Sequence, residues 1–167
     1  MENMGPGTKQ ATMISVVGGS FAGEEMLALA EEVGAAIARV GAVLVCGGLG
    51  GVMEAACRGA SREGGTSLGF LPGNDRGSAN PYVTLAVPTG MGLMRNDLVV
   101  LSGQAVIAVD GGYGTLNEVT CALNRGIPVV SLRSWDLGAC GVEEGDVHSA
   151  SSAQEAVDMA LELARGG

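Results

Sequence analysis

Short apolar runs recur along this chain at intervals long enough to hold a helix between them: Met13 to Val17, Ala42 to Cys46, Ser67 to Leu71, Tyr82 to Val87, Ala105 to Val109 and Pro128 to Leu132. A strand with one wet face alternates apolar and polar residues, so uninterrupted runs imply strands covered on both faces. The segments between them carry a helical period. In Glu24 to Arg39, Met26, Leu29, Ala30, Val33 and Ile37 fall on one face and Glu25, Glu31 and Glu32 on another, which is the pattern of an amphipathic crossover helix. Helices are expected over Val52 to Arg62, Met94 to Leu101 and Leu116 to Asn124. Ser152-Ala153-Gln154-Glu155 is a capping box opening a last helix that runs through Ala164. This alternation predicts an α/β fold, a doubly wound and mostly parallel sheet with helices on both faces. Chain order and right-handed crossovers place the first strand beside Ala105 to Val109, where the winding reverses and ligands bind outside the strand ends.

At 167 residues the chain suits a single domain spanning 1–167, with residues 1–11 expected as a disordered tail. Eighteen acidic residues against nine Lys plus Arg give a formal charge of −9, and no basic cluster interrupts the acidic balance. Binding to nucleic acid or to an anionic membrane is therefore not expected, and the few aromatics argue against stacked-base platforms. Cys46, Cys57, Cys121 and Cys140 form no C-x-x-C pair, and His148 is the sole histidine. They read as buried or incidental thiols, with no metal site and no disulfide. Met1 to Gln10 lacks the apolar core of a signal peptide, and no run reaches membrane-spanning length, so the cytoplasm is the expected compartment.

Three glycine-bearing turns each follow a predicted strand: Gly18-Gly19-Ser20, Gly47-Gly48 through Gly51-Val52, and Gly111-Gly112-Tyr113-Gly114-Thr115. The last opens a helix, where unpaired amide donors and the positive end of the macrodipole favour an anion, most plausibly a phosphate. Against an overall negative charge, such an anion needs local dipoles and a placed arginine. Arg95, followed by Asn96, stands near the crevice in this fold and offers a planar guanidinium fork; its alternative is a surface pairing with Asp97 or a neighbouring carboxylate. Glu118 has two readings. Thr115-Leu116-Asn117-Glu118 matches a capping box, and a functional carboxylate would lie beside a bound sugar. Glu54 carries the same ambiguity, and Asp110 either orients the loop or bonds a ligand hydroxyl.

Several reaction classes are excluded on chemistry. No G-x-x-x-x-G-K-[ST] occurs, and Lys9 is the only lysine, so neither a P-loop nor a pyridoxal-phosphate Schiff base can be built in the core. G-x-G-x-x-G is absent from the first βα turn, and G-x-S-x-G is absent altogether. The Pro72 to Pro81 segment reads equally as a flap beside the crevice or a plain surface loop. Gly138 to Ala150 is polar and aperiodic and receives no assigned role.

Gly47-Gly48, Gly51-Val52-Met53-Glu54, Asn80-Pro81-Tyr82, Pro88-Thr89-Gly90, Arg95-Asn96 and Gly111 through Glu118 together resemble the Rossmann-like superfamily of LOG (Lonely Guy) phosphoribohydrolases and molybdenum-cofactor carrier proteins. LOG enzymes carry P-G-G-x-G-T-x-x-E and an R-K pair. The resemblance would make Glu118 and Arg95 catalytic residues of a nucleoside 5'-monophosphate phosphoribohydrolase, and Gly112 to Thr115 its phosphate cradle. Asp110 stands where that motif has proline and Asn96 where it has lysine, departures that look more like the carrier branch. The resemblance thus implies a binding protein for a phosphate-bearing small molecule, with a nucleotide or molybdenum cofactor as ligand, in a homodimer or higher homo-oligomer. Members often bear the label lysine decarboxylase, which the absence of a core lysine makes chemically unsuitable here.

Overall fold

The structure is a computed structural model and describes residues 10–135, 137, 142 and 146–166. Its strands are β1 (Met13–Gly18), β2 (Val43–Cys46), β3 (Ser67–Leu71), β4 (Leu85–Pro88), β5 (Ala105–Val109), β6 (Val129–Leu132) and β7 (Val147–Ser149). Its helices are α1 (Glu24–Arg39), α2 (Val52–Arg62), α3 (Asn96–Ser102), α4 (Tyr113–Asn124) and α5 (Ala153–Arg165). The strands form one sheet in the order β4-β3-β2-β1-β5-β6-β7, with every neighbouring pair parallel. From β1 the chain winds outward to β4 on one side, then crosses back to β5 and winds outward on the other. The switch lies between β1 and β5, where Gly18 pairs with Val109, as the sequence predicts.

The continuous apolar runs are explained by their two covered faces. Along β5, Ala105, Ile107 and Val109 pack with buried residues of α1, α2 and α5, whereas Val106 and Ala108 pack with Val99 and Val100 of α3 and Val119 and Ala122 of α4. All five β5 residues are buried. Ser15 interrupts the apolar run of β1, and its buried hydroxyl donates to the Val99 carbonyl at 2.6 Å, tying α3 to the sheet. That bond fixes the helix whose first turn follows Arg95.

Three local expectations need correction. The predicted strand Tyr82 to Val87 begins only at Leu85, because Asn80 folds the chain back on itself and accepts the Tyr82 amide at 3.1 Å. The helix expected from Met94 is split into a 3-10 turn, Gly92–Arg95, and α3, which places Arg95 at the joint. Within Gly138 to Ala150, Val147–Ser149 forms the edge strand β7; three residues are too few for any period to show, and pairing with β6 supplies the order. At Ser152 half of the capping box forms, the hydroxyl accepting the Glu155 amide at 3.2 Å, while the Glu155 carboxylate accepts the Ser151 amide at 2.8 Å in place of that of Ser152. Residues 1–9 of the expected tail lie outside the described residues. Cys46, Cys57 and Cys121 are buried free thiols, and Cys140 lies outside the described residues. No helix among the described residues is long and apolar enough to cross a membrane.

Candidate functional site

The three glycine turns meet on the rim formed by the strand C-terminal ends, but they do not contribute alike. A cavity of about 180 Å³ opens there. Gly18, Gly19 and Ser20 from the first turn form one wall, and Gly112, Gly114 and Thr115 from the third form another. Arg95, Asn96 and Glu118 form its polar floor. Gly47, Gly48, Gly51, Gly111 and Tyr113 do not line it. Gly47 backs onto Arg95, Gly51 caps α2, and Gly111 borders a separate hollow with Asp110, Arg133 and Trp135. Tyr113 is 86% exposed and stacks on Trp135, whose indole N–H donates to the Gly112 carbonyl at 3.2 Å. Met53 and Leu93 complete the lining. Met53 belongs to the Gly51-Val52-Met53-Glu54 motif, whereas Leu93, two residues before Arg95, carried no sequence signal of its own.

Arg95 is buried, unlike the surface arginine of the alternative reading, and Asp97 instead pairs with Arg125 at 2.7 Å. Its Nη1 donates to the Asn96 side-chain oxygen at 2.6 Å and stands 3.8 Å from Glu118 Oε1. Its Nε is buried without a partner among the described residues, as is the Thr115 hydroxyl. Buried polar atoms rarely go unpaired, and each costs about 1–3 kcal/mol, so two at one cavity leave donors open to an occupant.

Glu118 is not a capping residue. α4 starts at Tyr113 with Gly112 as its N-cap, so Thr115 already lies inside the first turn and Glu118 is a full turn too far to bond the cap amide. Its carboxyl lies buried beside Arg95 instead. Burial pushes its pKa up to about 7, and the Arg95 charge opposes that only in part. Burial likewise lowers the Arg95 pKa, against the attraction of Glu118. Desolvation therefore outweighs pairing on both partners, and at 3.8 Å the two groups lack the fork-to-carboxylate contact that would reverse the balance. The guanidinium keeps donor capacity for a third party.

The amides of Tyr113, Gly114 and Thr115 have no carbonyl within their own helix to bond, since the first such bond runs from Leu116 to Gly112 at 3.1 Å. No side chain among the described residues caps this end. The start of α2 differs: the Val52 amide donates to Gly19 O at 3.0 Å, and Asn80 closes the same turn by bonding Gly48 O and Leu49 O. That contact also pins the end of the Pro72 to Pro81 segment against the second turn. Among the described residues no group of three or more His, Cys, Asp or Glu could hold a metal ion.

A family model described as SLOG cluster4 family matches residues 11–161, and the chain belongs to that family. It is 42% identical over 120 residues to an uncharacterised protein of Archaeoglobus fulgidus, covering 72% of this chain and 79% of that one. Among solved structures it resembles the molybdenum cofactor binding protein of Rippkaea orientalis, at 34% identity and a TM-score of 0.87, over 93% of this chain and 99% of that one. The Moco carrier protein of Chlamydomonas reinhardtii matches at 34% identity and a TM-score of 0.86, over 95% and 100% of the respective chains. These neighbours place the chain in the superfamily of molybdenum-cofactor carriers and LOG-like proteins.

Proposed function

We propose that this protein binds a phosphate-bearing small molecule of the pterin-cofactor class in the rim cavity and carries it without transforming it. The observation that supports this reading most is the pair of buried donors, Arg95 Nε and Thr115 Oγ1, that find no partner among the described residues, beside the uncapped start of α4. Phosphate oxygens would accept from the amides of Tyr113, Gly114 and Thr115 and from the Thr115 hydroxyl, with the Arg95 guanidinium supplying the countercharge. Asn96 orients that guanidinium through its 2.6 Å contact. A Glu118 carboxyl with a pKa of about 7 spends much of its time neutral at physiological pH, which reduces its repulsion of the anion. Binding cavities enclosing whole ligands run to roughly 300–1,000 Å³. A cavity of 180 Å³ therefore grips the anionic end and leaves the remainder at the mouth, beside Leu93. The likeness to a molybdenum cofactor binding protein and a Moco carrier favours a pterin for that remainder.

A second reading, a LOG-type phosphoribohydrolase, is supported by Glu118 lying in the same cavity as Arg95. There the ionised carboxylate would stabilise positive charge developing on the anomeric carbon. Thermal unfolding with inorganic phosphate, AMP and molybdopterin-type ligands tests the first reading. Phosphate compounds should stabilise the fold, by about 2.7 kcal/mol at a hundredfold excess over Kd, and their dephosphorylated counterparts should not. No stabilisation by any phosphate compound discards the proposal. Adenine released from AMP by the native chain and lost in Glu118→Gln would replace it with the hydrolase.

A further inference from the structure

Directly beneath the second turn lie two thiols that the proposed binding chemistry does not use. Cys46, the last residue of β2, and Cys57, within α2, bring their sulfurs to 3.5 Å, both closed to solvent. A disulfide spans about 2.05 Å, so joining them requires an approach of roughly 1.5 Å. That movement has a specific point of strain. The Cys46 sulfur accepts the Gly48 amide at 3.3 Å, and Gly47 lies so tightly on the Arg95 guanidinium that a methyl group on it would stand 2.6 Å from Nη1. The segment between the thiols also includes Gly51, the cap of α2, and Val52, whose amide holds Gly19 of the cavity wall.

We propose that Cys46 and Cys57 are a reversible dithiol switch, oxidised by peroxides to a disulfide that drags the Gly47–Gly48 turn away from Arg95 and weakens anion binding at the cavity. The coupling half of this inference rests on the binding reading above; the oxidation half does not. Cys57 is the attacking sulfur, because the Cys46 hydrogen bond lowers its pKa against the effect of burial, with Asn80 and Ser67 assisting, while Cys46 is raised. The Cys57 thiolate attacks one peroxide oxygen, the O–O bond breaks, and hydroxide leaves to take a proton as water. Cys46 sulfur then attacks the Cys57 sulfenic acid, gives up its proton, and displaces the second oxygen as water. Two thiols and one hydrogen peroxide thus become one disulfide and two waters, two electrons passing from sulfur to oxygen. Because both sulfurs are enclosed, reaction proceeds through local opening of the rim, so an occupied cavity slows it.

The test uses the full chain with Cys121→Ser and Cys140→Ser, which removes the other thiols. Treatment with hydrogen peroxide should remove two hydrogen masses from the intact protein and yield a Cys46–Cys57 cross-linked peptide that dithiothreitol reverses. Affinity for inorganic phosphate should fall about tenfold, or 1.4 kcal/mol, on oxidation and recover on reduction. In a Cys57→Ser chain no cross-link forms, and peroxide leaves phosphate affinity unchanged. If the serine background fails to fold, peptide mapping of the native chain reads the same cross-link. Absence of the Cys46–Cys57 peptide overturns the inference, as does a cross-link with phosphate affinity unchanged. A reduced chain that does not bind phosphate at all sinks the binding reading and the coupling together, while the cross-link remains a separate readout of the thiol chemistry.

Discussion

Gly47–Val52 and Gly111–Thr115 are two glycine-rich turns on one rim, each leading from a buried strand into a helix, and they use glycine for opposite reasons. The first is tied down: the amides of Gly48 and Val52 go to Cys46 and Gly19, the carbonyls of Gly48 and Leu49 accept from Asn80, and added methyl groups at Gly47 and Gly51 would strike Arg95 and the Gly19–Ser20 backbone. The second is open. Methyl groups at Gly112 and Gly114 would meet nothing within 4 Å, and among the described residues the amides of Tyr113, Gly114 and Thr115 have no backbone partner and no side-chain cap. One turn is a joint that seats Arg95, and the other is the cradle of the proposed binding reading. A glycine-rich turn before a helix is thus an anion site only where its donors remain free.

The largest effect should come from filling the joint. At Gly51 φ is +65°, a conformation L side chains rarely adopt, and a Cβ would lie 2.2 Å from Gly19 O. That oxygen and the Ser20 carbonyl carbon and oxygen, also within 2.5 Å, are all backbone, which cannot swing aside. Gly51→Ala should therefore cost upwards of about 3 kcal/mol in urea unfolding. An unchanged midpoint would show that the second turn is as open as the third.

Next comes Glu118, buried behind the cradle. Its folded pKa of about 7 lies above its ordinary value of 4.5, so the native state holds the proton more tightly than the unfolded chain. Stability is therefore unpenalised below about pH 4.5 and falls as pH rises through 7, by on the order of 3 kcal/mol in total. Glu118→Gln should remove this component, leaving a shallower stability profile between pH 5 and 8. Parallel profiles for the two proteins would place the carboxyl in water.

The sheet and its switch point were legible because burial on both faces leaves unbroken apolar runs. The division of labour between the turns was not legible. Whether a glycine amide is free depends on what the rest of the chain brings to it, and Asn80, which closes the second turn, lies some thirty residues away in sequence. The capping-box spacing at Thr115 misled because a helix may start three residues earlier on a glycine cap. Burial of Arg95 likewise followed from Gly47 lying against it, which no local pattern encodes.

Two smaller effects probe the cradle itself. Thr115→Val keeps the shape and removes a buried hydroxyl that has no partner among the described residues. Stability should hold or rise slightly while affinity for inorganic phosphate falls about tenfold. A loss of stability instead would mean the hydroxyl is already satisfied within the fold.

The smallest change expected in the fold itself is at Gly112, and it is the sharpest contrast with Gly51. Its φ of −96° suits any residue, and a Cβ meets open space. Alanine caps a helix somewhat less well than glycine but restricts the unfolded chain more, and the two effects, each about 0.5 kcal/mol, nearly cancel. Gly112→Ala should therefore unfold within about 0.5 kcal/mol of the native chain. The added methyl nevertheless sits at the cavity wall, so phosphate affinity should fall while urea midpoints stay put. If both turns respond to alanine alike, in stability and in binding, then the cradle is only another joint and the anion belongs elsewhere.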